Sequence, residues 1–356
     1  MDEDKKYFNA LNLALKANYS ALAKLKSDFG CYKKAFENFK ETSPFDVEAE
    51  WQKLQKQKIQ LLLAEEPEFP SLLKEIPWPP LGIYLKGEIP ENKEIKVAIV
   101  GTRKATGIGK EIAWQFAKEL SDNDIVVVSG LALGIDSASH LGSLEGNIKK
   151  TIAVLGNGID NIYPRQNYKL AKRILENGGC IISEYPLGYP SYPTNFIARN
   201  RIISGLSTAT IIIEAPEKSG ALSTARFALE QNREVFVVPG PINNKNYQGS
   251  LKLIREGARL VTSVEDVLED LNIKIPNSER KISNKSQILN FKIQNIKDEN
   301  QLLIIKIIQE AGQPLTIDKI SSLTKLKPQA VNQAISFLII EGIIKETEKG
   351  YTILKF

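Results

Sequence analysis

Six stretches of this chain place glycines, hydroxyls and cations directly after a short apolar run. Gly101-Thr-Arg-Lys-Ala-Thr-Gly-Ile-Gly109 follows Val97–Val100, Ser129-Gly-Leu-Ala-Leu-Gly-Ile-Asp136 follows Ile125–Val128, and Gly156-Asn-Gly-Ile-Asp-Asn-Ile-Tyr-Pro-Arg-Gln-Asn167 follows Thr151–Leu155. Ser183-Glu-Tyr-Pro186, Glu214-Ala215 with Ser219-Gly-Ala-Leu-Ser-Thr-Ala225, and Pro239-Gly-Pro241 complete the set. Glycines at such places let backbone N–H groups approach an anion, and a following helix N-terminus adds positive dipole. Any one of these loops is accounted for by a tight turn. Five of them on one edge point to a phosphate-bearing ligand.

Arginine and aromatic side chains fall in the same stretches. Arg103 sits in the first loop, Arg165 beside Tyr163 in the third, and Arg199-Asn200-Arg201 precedes the run Thr210–Ile213. Guanidinium forks grip phosphates bidentately and stack on bases. Tyr163, Tyr168, Tyr185, Tyr189, Tyr192 and Phe196 supply π-faces nearby. Cations that follow a backbone and rings that take bases together make a platform for a single strand. The alternative is that the arginines are ion-paired and the rings pack the rim.

Two other phosphate chemistries fail on spacing. Gly101–Gly109 does not read G-x-G-x-x-G, and no acidic residue closes the next apolar run to hold a ribose. Lys110 is followed by Glu111 rather than Ser or Thr, so a P-loop is absent too. A nucleotide cofactor is not expected, and no cofactor of another kind is implied. His140, the single histidine, could act as a general base with Asp136, but no activated nucleophile stands near it in sequence. Two cysteines, Cys31 and Cys180, allow neither a disulfide framework nor a four-cysteine zinc site, so no metal is expected.

The elements that hold these loops run from 95 to 263, where short β-branched runs alternate with helix-length segments. The runs are Val97–Val100, Ile125–Val128, Thr151–Leu155, Cys180–Ile182, Thr210–Ile213, Val235–Val238 and Arg259–Thr262. Gly109–Leu120, Tyr168–Glu176 and Ala221–Gln231 are the helical segments between them. Near-continuous apolar strands joined by helices predict an α/β, Rossmann-like, doubly wound parallel sheet. Ligands of such sheets bind outside the carboxyl ends of the strands, where the loops above lie.

The chain has 356 residues, which suggests two or three domains. Residues 1–65 carry helical leucine spacing (Leu11, Leu15, Leu22, Leu25) and are expected to form a small helical domain, SAM-like or helix-hairpin-helix-like. Residues 66–271 form the Rossmann-like domain, which begins with a short strand at Gly82–Gly87, and 272–298 a flexible basic linker. Residues 299–356 form a winged-helix domain, with helices near Gln301–Glu310, Thr316–Leu323 and Gln329–Ile340, then strands at Ile343–Lys345 and Tyr351–Leu354. The formal charge of +5 resides in the tail: 272–356 holds 13 basic and 8 acidic residues, and the rest balances. A basic tether is compatible with nucleic acid. No apolar run reaches membrane-spanning length and the opening residues lack a secretory signal, so a soluble cytosolic protein is expected.

The ordered series Val100-Gly-Thr-Arg103, Ser129–Asp136, Ala153-Val-Leu-Gly156 with Tyr163-Pro164 and Asn167, and Ser183-Glu-Tyr-Pro186 resembles a known pattern. Ala198-Arg-Asn-Arg-Ile-Ile-Ser-Gly-Leu-Ser207, Ser219-Gly-Ala-Leu222 and Val235-Phe-Val-Val-Pro-Gly240 continue it. It is that of the DprA/Smf family of bacterial DNA-processing proteins, over about 66–265. The resemblance implies a non-enzymatic mediator that binds and protects incoming single-stranded DNA in natural transformation, loads the RecA recombinase, and works as a homodimer. It assigns the DNA pocket to Gly101, Thr102, Arg103, Gly130, Arg165, Asn167, and a loop of Arg199, Asn200 and Arg201. It also assigns Gly249–Ala258 to dimerisation, with Leu253 and Ile254 as apolar contacts. Some members carry a basic residue where this chain has Pro193, which leaves Lys218 or Lys104 to compensate. The rival is a nucleotide-binding or nucleotide phosphoribohydrolase-like enzyme on the same sheet, with Glu214 either in place of the missing catalytic glutamate of that class or, at the end of a strand, only orienting the neighbouring loop.

Overall fold

The computed structural model describes residues 2–39, 46–273, 296, 298–340, 343–347 and 350–353. Two units emerge, Met1–Lys274 and Ile275–Phe356.

The first unit opens with α1 (Asp2–Ala14), α2 (Tyr19–Phe29), α3 (Tyr32–Asn38) and α4 (Val47–Lys56). Then follow β1 (Gln60–Leu63), α5 (Ser71–Lys74), β2 (Gly82–Gly87), β3 (Lys96–Gly101), α6 (Gly107–Asp122), β4 (Val126–Ser129), α7 (Ile135–Ser143) and β5 (Thr151–Leu155). The remainder is α8 (Tyr168–Glu176), β6 (Cys180–Ser183), α9 (Pro193–Gly205), β7 (Ala209–Ile213), α10 (Gly220–Glu230), β8 (Glu234–Val237), α11 (Gln248–Arg255), β9 (Arg259–Leu260) and α12 (Val264–Asp270).

The strands form one sheet in the order β1-β2-β6-β5-β4-β3-β7-β8-β9. From β3 the chain winds outward through β4, β5 and β6, then returns past β3 to build β7, β8 and β9 on the other side. The order therefore reverses between β3 and β7, where the loops leaving the two strands part and open a crevice. Seven strands are parallel, as expected. The edge differs: β2 runs antiparallel to β6, and β1 antiparallel to β2. A strand joined to the sheet without a crossover helix is free to take that direction.

Burial on both faces explains the β-branched runs. Ala98, Val100, Val128 and Val154 point to one side, under α9 and α10, with Ile202, Ile203, Ala221 and Ala225. Val97, Ile99 and Val127 point to the other, under α6, with Ala113, Phe116 and Leu120. The alternation within one run is the period-2 geometry of a strand. The N-terminal helices pack on the same sheet: Tyr84 of β2 donates its hydroxyl to Asn9 Oδ1 at 2.9 Å and accepts from Asn12 Nδ2 at 3.2 Å.

Two local expectations are corrected. Gln60–Leu63, inside the stretch expected to be helical, is a strand. Arg199, Asn200 and Arg201, expected in a loop, lie within α9, which Pro193 initiates at a position where its missing N–H costs nothing.

The second unit holds α13 (Glu299–Ala311), α14 (Ile317–Thr324) and α15 (Pro328–Ile340), then β10 (Ile344–Thr347) paired antiparallel with β11 (Gly350–Ile353). Ile304, Ile308, Ile320, Val331, Ile335 and Leu338 form its core. The expected linker at 272–298 lies almost wholly outside the described residues. Among the described residues no helix is long and apolar enough to cross a membrane, and no group of three or more metal-ligating side chains is assembled.

Candidate nucleic-acid interface

The crevice between the ends of β3 and β7 is a cavity of about 460 Å³. Gly101, Thr102 and Arg103 form one wall, Phe196, Arg199 and Asn200 of α9 a second, and Pro216 with Lys218–Ala221 a third. Asp136 and Tyr163 complete it.

Arg103 is exposed, and its guanidinium carbon lies 5.2 Å from the centroid of the Phe196 ring. That ring also meets Tyr163, centroid to centroid at 5.3 Å and tilted by 32°. A cation beside two accessible rings is the arrangement that holds a phosphate next to a stacked base. Lys218 adds a second exposed cation on the opposite wall, at the approach to α10. Ser219 caps that helix, accepting from the Ala221 N–H at 3.2 Å.

Arg199 has a different situation. It is 4% exposed. Nη1 donates to the Gly130 carbonyl at 2.8 Å and also to the Val154 carbonyl, and Nε donates to Asn200 Oδ1 at 3.2 Å. Burial pulls its pKa down to about 10, against the opposing pull of Asp136. Asp136 accepts from the N–H groups of Gly130 and Ala132, at 3.1 and 3.3 Å. Burial raises its pKa, with Arg199, those N–H groups and Arg103 opposing. Arg199 and Asp136 thus form the floor beneath Arg103.

The remaining expected residues fall outside the cavity. Gly130 lies behind Arg199. Asn167 is buried and donates Nδ2 to the carbonyls of Leu131 and Ala132, at 2.8 and 3.2 Å, so it shapes the loop after β4. Arg165 is exposed on the turn that follows Pro164. Arg201 is committed elsewhere: it grips Glu184 through two parallel hydrogen bonds of 2.8 and 2.6 Å and donates Nε to the Trp78 carbonyl. Of the apolar pair on α11, Leu253 is sunk in the core and Ile254 is half-buried.

The pairing of Asp136 with His140 that their proximity in sequence suggested is not built. The His140 ring is wholly buried with Nδ1 2.8 Å from Thr151 Oγ1, and burial depresses its pKa to about 3. It is neutral and lines no part of the cavity. Glu214 is also absent from the cavity wall. Its carboxylate accepts from the Thr106 N–H and hydroxyl and from Asn246 Nδ2. Lys218 is the wall residue that motif spacing marked only as a substitute. Nothing in the sequence says that its loop reaches the β3 loop, because the switch point is a property of strand order.

Residues 60–272 match the family model of DNA recombination-mediator protein A, a span that contains every wall of the cavity. The Escherichia coli protein Smf is 36% identical over 305 residues, an alignment covering 83% of this chain and 77% of that one. The crystallographic DNA processing protein A of Streptococcus pneumoniae superposes with a TM-score of 0.58 at 33% identity, over 75% of this chain and 92% of that one. A structure describing the single-stranded DNA binding mode of DNA processing protein A from Helicobacter pylori superposes with a TM-score of 0.53 at 32% identity, over 60% and 95%. The chain belongs to the DNA recombination-mediator protein A family.

Proposed function

We propose that this chain is a non-enzymatic single-stranded DNA-binding mediator that shields an incoming strand during natural transformation and hands it to RecA. The observation that carries this reading is the exposed Arg103 guanidinium beside the Phe196 ring in the switch-point cavity. The related Helicobacter pylori protein, whose structure concerns single-stranded DNA, adds weight. Arg103 and Lys218 take backbone phosphates from two sides, Phe196 and Tyr163 take a base, and Asn200 ties the α9 wall to the α10 wall, accepting from Arg199 Nε at 3.2 Å and donating Nδ2 to the Gly220 carbonyl at 3.1 Å. Arg199 and Gly130 support Arg103 from below, Asn167 holds the neighbouring loop, and Arg165 meets the strand outside the cavity. Arg201 acts by fixing α9.

The protein works as a homodimer through the edge that α11 and β9 form. There Ile254 is half-buried and Leu260 half-exposed on an edge strand of two residues. Two cavities on one dimer raise apparent affinity through effective concentration. The C-terminal unit is a winged helix that serves protein contact rather than strand capture. Its residues 299–356 hold 7 basic and 6 acidic side chains, too even a balance for a strong duplex binder.

Fluorescence anisotropy of labelled single- and double-stranded oligonucleotides across a salt series tests the reading. A strong, salt-sensitive preference for the single strand is expected, with RecA filament assembly on protein-coated strands as the next readout. Equal affinity for both forms, or none, would overturn it.

A further inference from the structure

Arg103 is useful only if the loop that carries it stays where the cavity needs it, and one buried residue holds both shoulders of that loop. Before Arg103, the Thr102 N–H donates to the backbone carbonyl of Glu214 at 2.7 Å. After it, the Glu214 carboxylate accepts from the Thr106 N–H at 2.9 Å and from the Thr106 hydroxyl. The same carboxylate accepts from Asn246 Nδ2 at 3.2 Å, and Asn246 Nδ2 also donates to the Lys104 carbonyl at 3.1 Å. The loop is therefore pinned at Thr102, Lys104 and Thr106, with Arg103 left between the pins.

Three further features say that this place is built around a carboxylate. Glu214 has no exposed surface and a φ of 51°, in the left-handed region that a residue with a side chain rarely occupies. Gly109 leaves room for it: a Cβ there would come within 2.4 Å of the carboxylate carbon. The charge also faces the first turn of α6, whose N–H groups and dipole favour an anion. Thr106 is itself the cap of that helix, accepting from the Gly109 N–H at 3.0 Å. The Tyr247 hydroxyl is pushed up to about 12 by burial and by the nearby Glu214 carboxylate.

We infer that Glu214 is a positioning residue for strand capture: it acts through Arg103, by clamping the 102–106 loop onto the end of β7 and the 244–247 turn. This inference rests on the proposed function and names a residue that never touches the ligand. Removing the acceptor leaves the cavity's walls in place but lets Arg103 leave the Phe196 ring.

The test is a double-mutant cycle on the full chain, with anisotropy of a labelled oligothymidylate as the readout. Arg103→Ala is expected to weaken binding about tenfold, and Glu214→Gln, which replaces one acceptor oxygen with an amide, roughly three- to tenfold. The double variant should bind no worse than Arg103→Ala alone, because the second change acts only through the first. Asn246→Ala, at a half-buried position, tests the same clamp without touching the buried carboxylate and should give a smaller loss. Thr106→Ser, which keeps the hydroxyl, should bind as the wild type does. Thermal midpoints taken in parallel show that each variant folds. If Arg103→Ala itself leaves affinity unchanged, the proposed function fails at its root and takes this inference with it. If Arg103→Ala weakens binding while folded Glu214→Gln and Asn246→Ala do not, or if the losses add in full, the inference alone is overturned.

Discussion

Gly130 and Arg199 meet at a point that has no room for one more carbon. Arg199 Nη1 donates to the Gly130 carbonyl at 2.8 Å, and a Cβ on Gly130 would lie 2.7 Å from Nη2 and 2.7 Å from Asp136 Oδ2. Gly130→Ala must therefore push the guanidinium away from the two carbonyls it satisfies. We expect a loss of about 1–3 kcal/mol in stability, as for overpacking of a filled interior, read as a lower thermal midpoint. Because Arg199 lies beneath Arg103, strand affinity should fall as well.

Arg103→Ala should weaken single-strand binding and lower the slope of log affinity against log salt by roughly 0.7, the value for one phosphate contact on a single strand. The check is the salt series at fixed temperature. An unchanged slope would reassign Arg103 to a purely structural role.

Phe196→Ala should behave differently. Its ring lies against Arg103 and Tyr163 and carries no charge, so about 1–3 kcal/mol of affinity should go while the salt slope stays near wild type. Comparing the two slopes separates stacking from phosphate neutralisation in one experiment.

His140 makes stability depend on pH. Its pKa falls to about 3 in the fold, from about 6.5 unfolded, so its contribution is complete above about pH 6.5 and is lost as pH drops towards 3. The expected slope is on the order of 1.4 kcal/mol per pH unit in that window. Asp136, whose carboxyl burial raises, acts with the opposite sign. His140→Asn isolates the histidine: its urea midpoints between pH 4 and 6.5 should vary less with pH than those of the wild type.

If the proposed homodimer forms through α11, Ile254→Glu should leave monomers and reduce apparent strand affinity, measured by light scattering and anisotropy at the same protein concentrations. Ile254 also packs on the core, so the thermal midpoint is taken alongside. Intact dimers would move the interface off α11.

The sheet was legible because parallel strands covered on both faces must be short and continuously apolar, and Thr151–Leu155 matches its expected limits to the residue. Helix α8 was legible from its regular apolar spacing. Helix α9 was not, because Asn195, Arg199, Asn200 and Arg201 are buried and polar, so no apolar stripe marks the face it presents to the sheet. The destiny of Arg201 was equally hidden. Its partner Glu184 stands 17 residues earlier, and only the packing of α9 over the end of β6 brings the pair together. For Glu214 the sequence offered two roles, a substitute catalytic glutamate or a residue that orients the neighbouring loop, and the choice between them needed the β3 loop, which surrounds its carboxylate with donors. Residue type told where cations and rings lie along the chain; strand order decided which of them share a cavity.

That cavity draws its walls from residues as early as Val100 and as late as Thr224, from both sides of the point where the strand order reverses. Neither half of the sheet holds a usable part of it. During synthesis, a nascent chain can therefore expose β3, β4 and β5 with Arg103 already made and still present no pocket, because α9, Glu214 and the loop before α10 have not arrived and nothing yet pins the Arg103 loop. The proposed strand site is completed only late, when the second winding closes over the first. A half-finished chain accordingly lacks the proposed strand site altogether rather than holding a weak version of it.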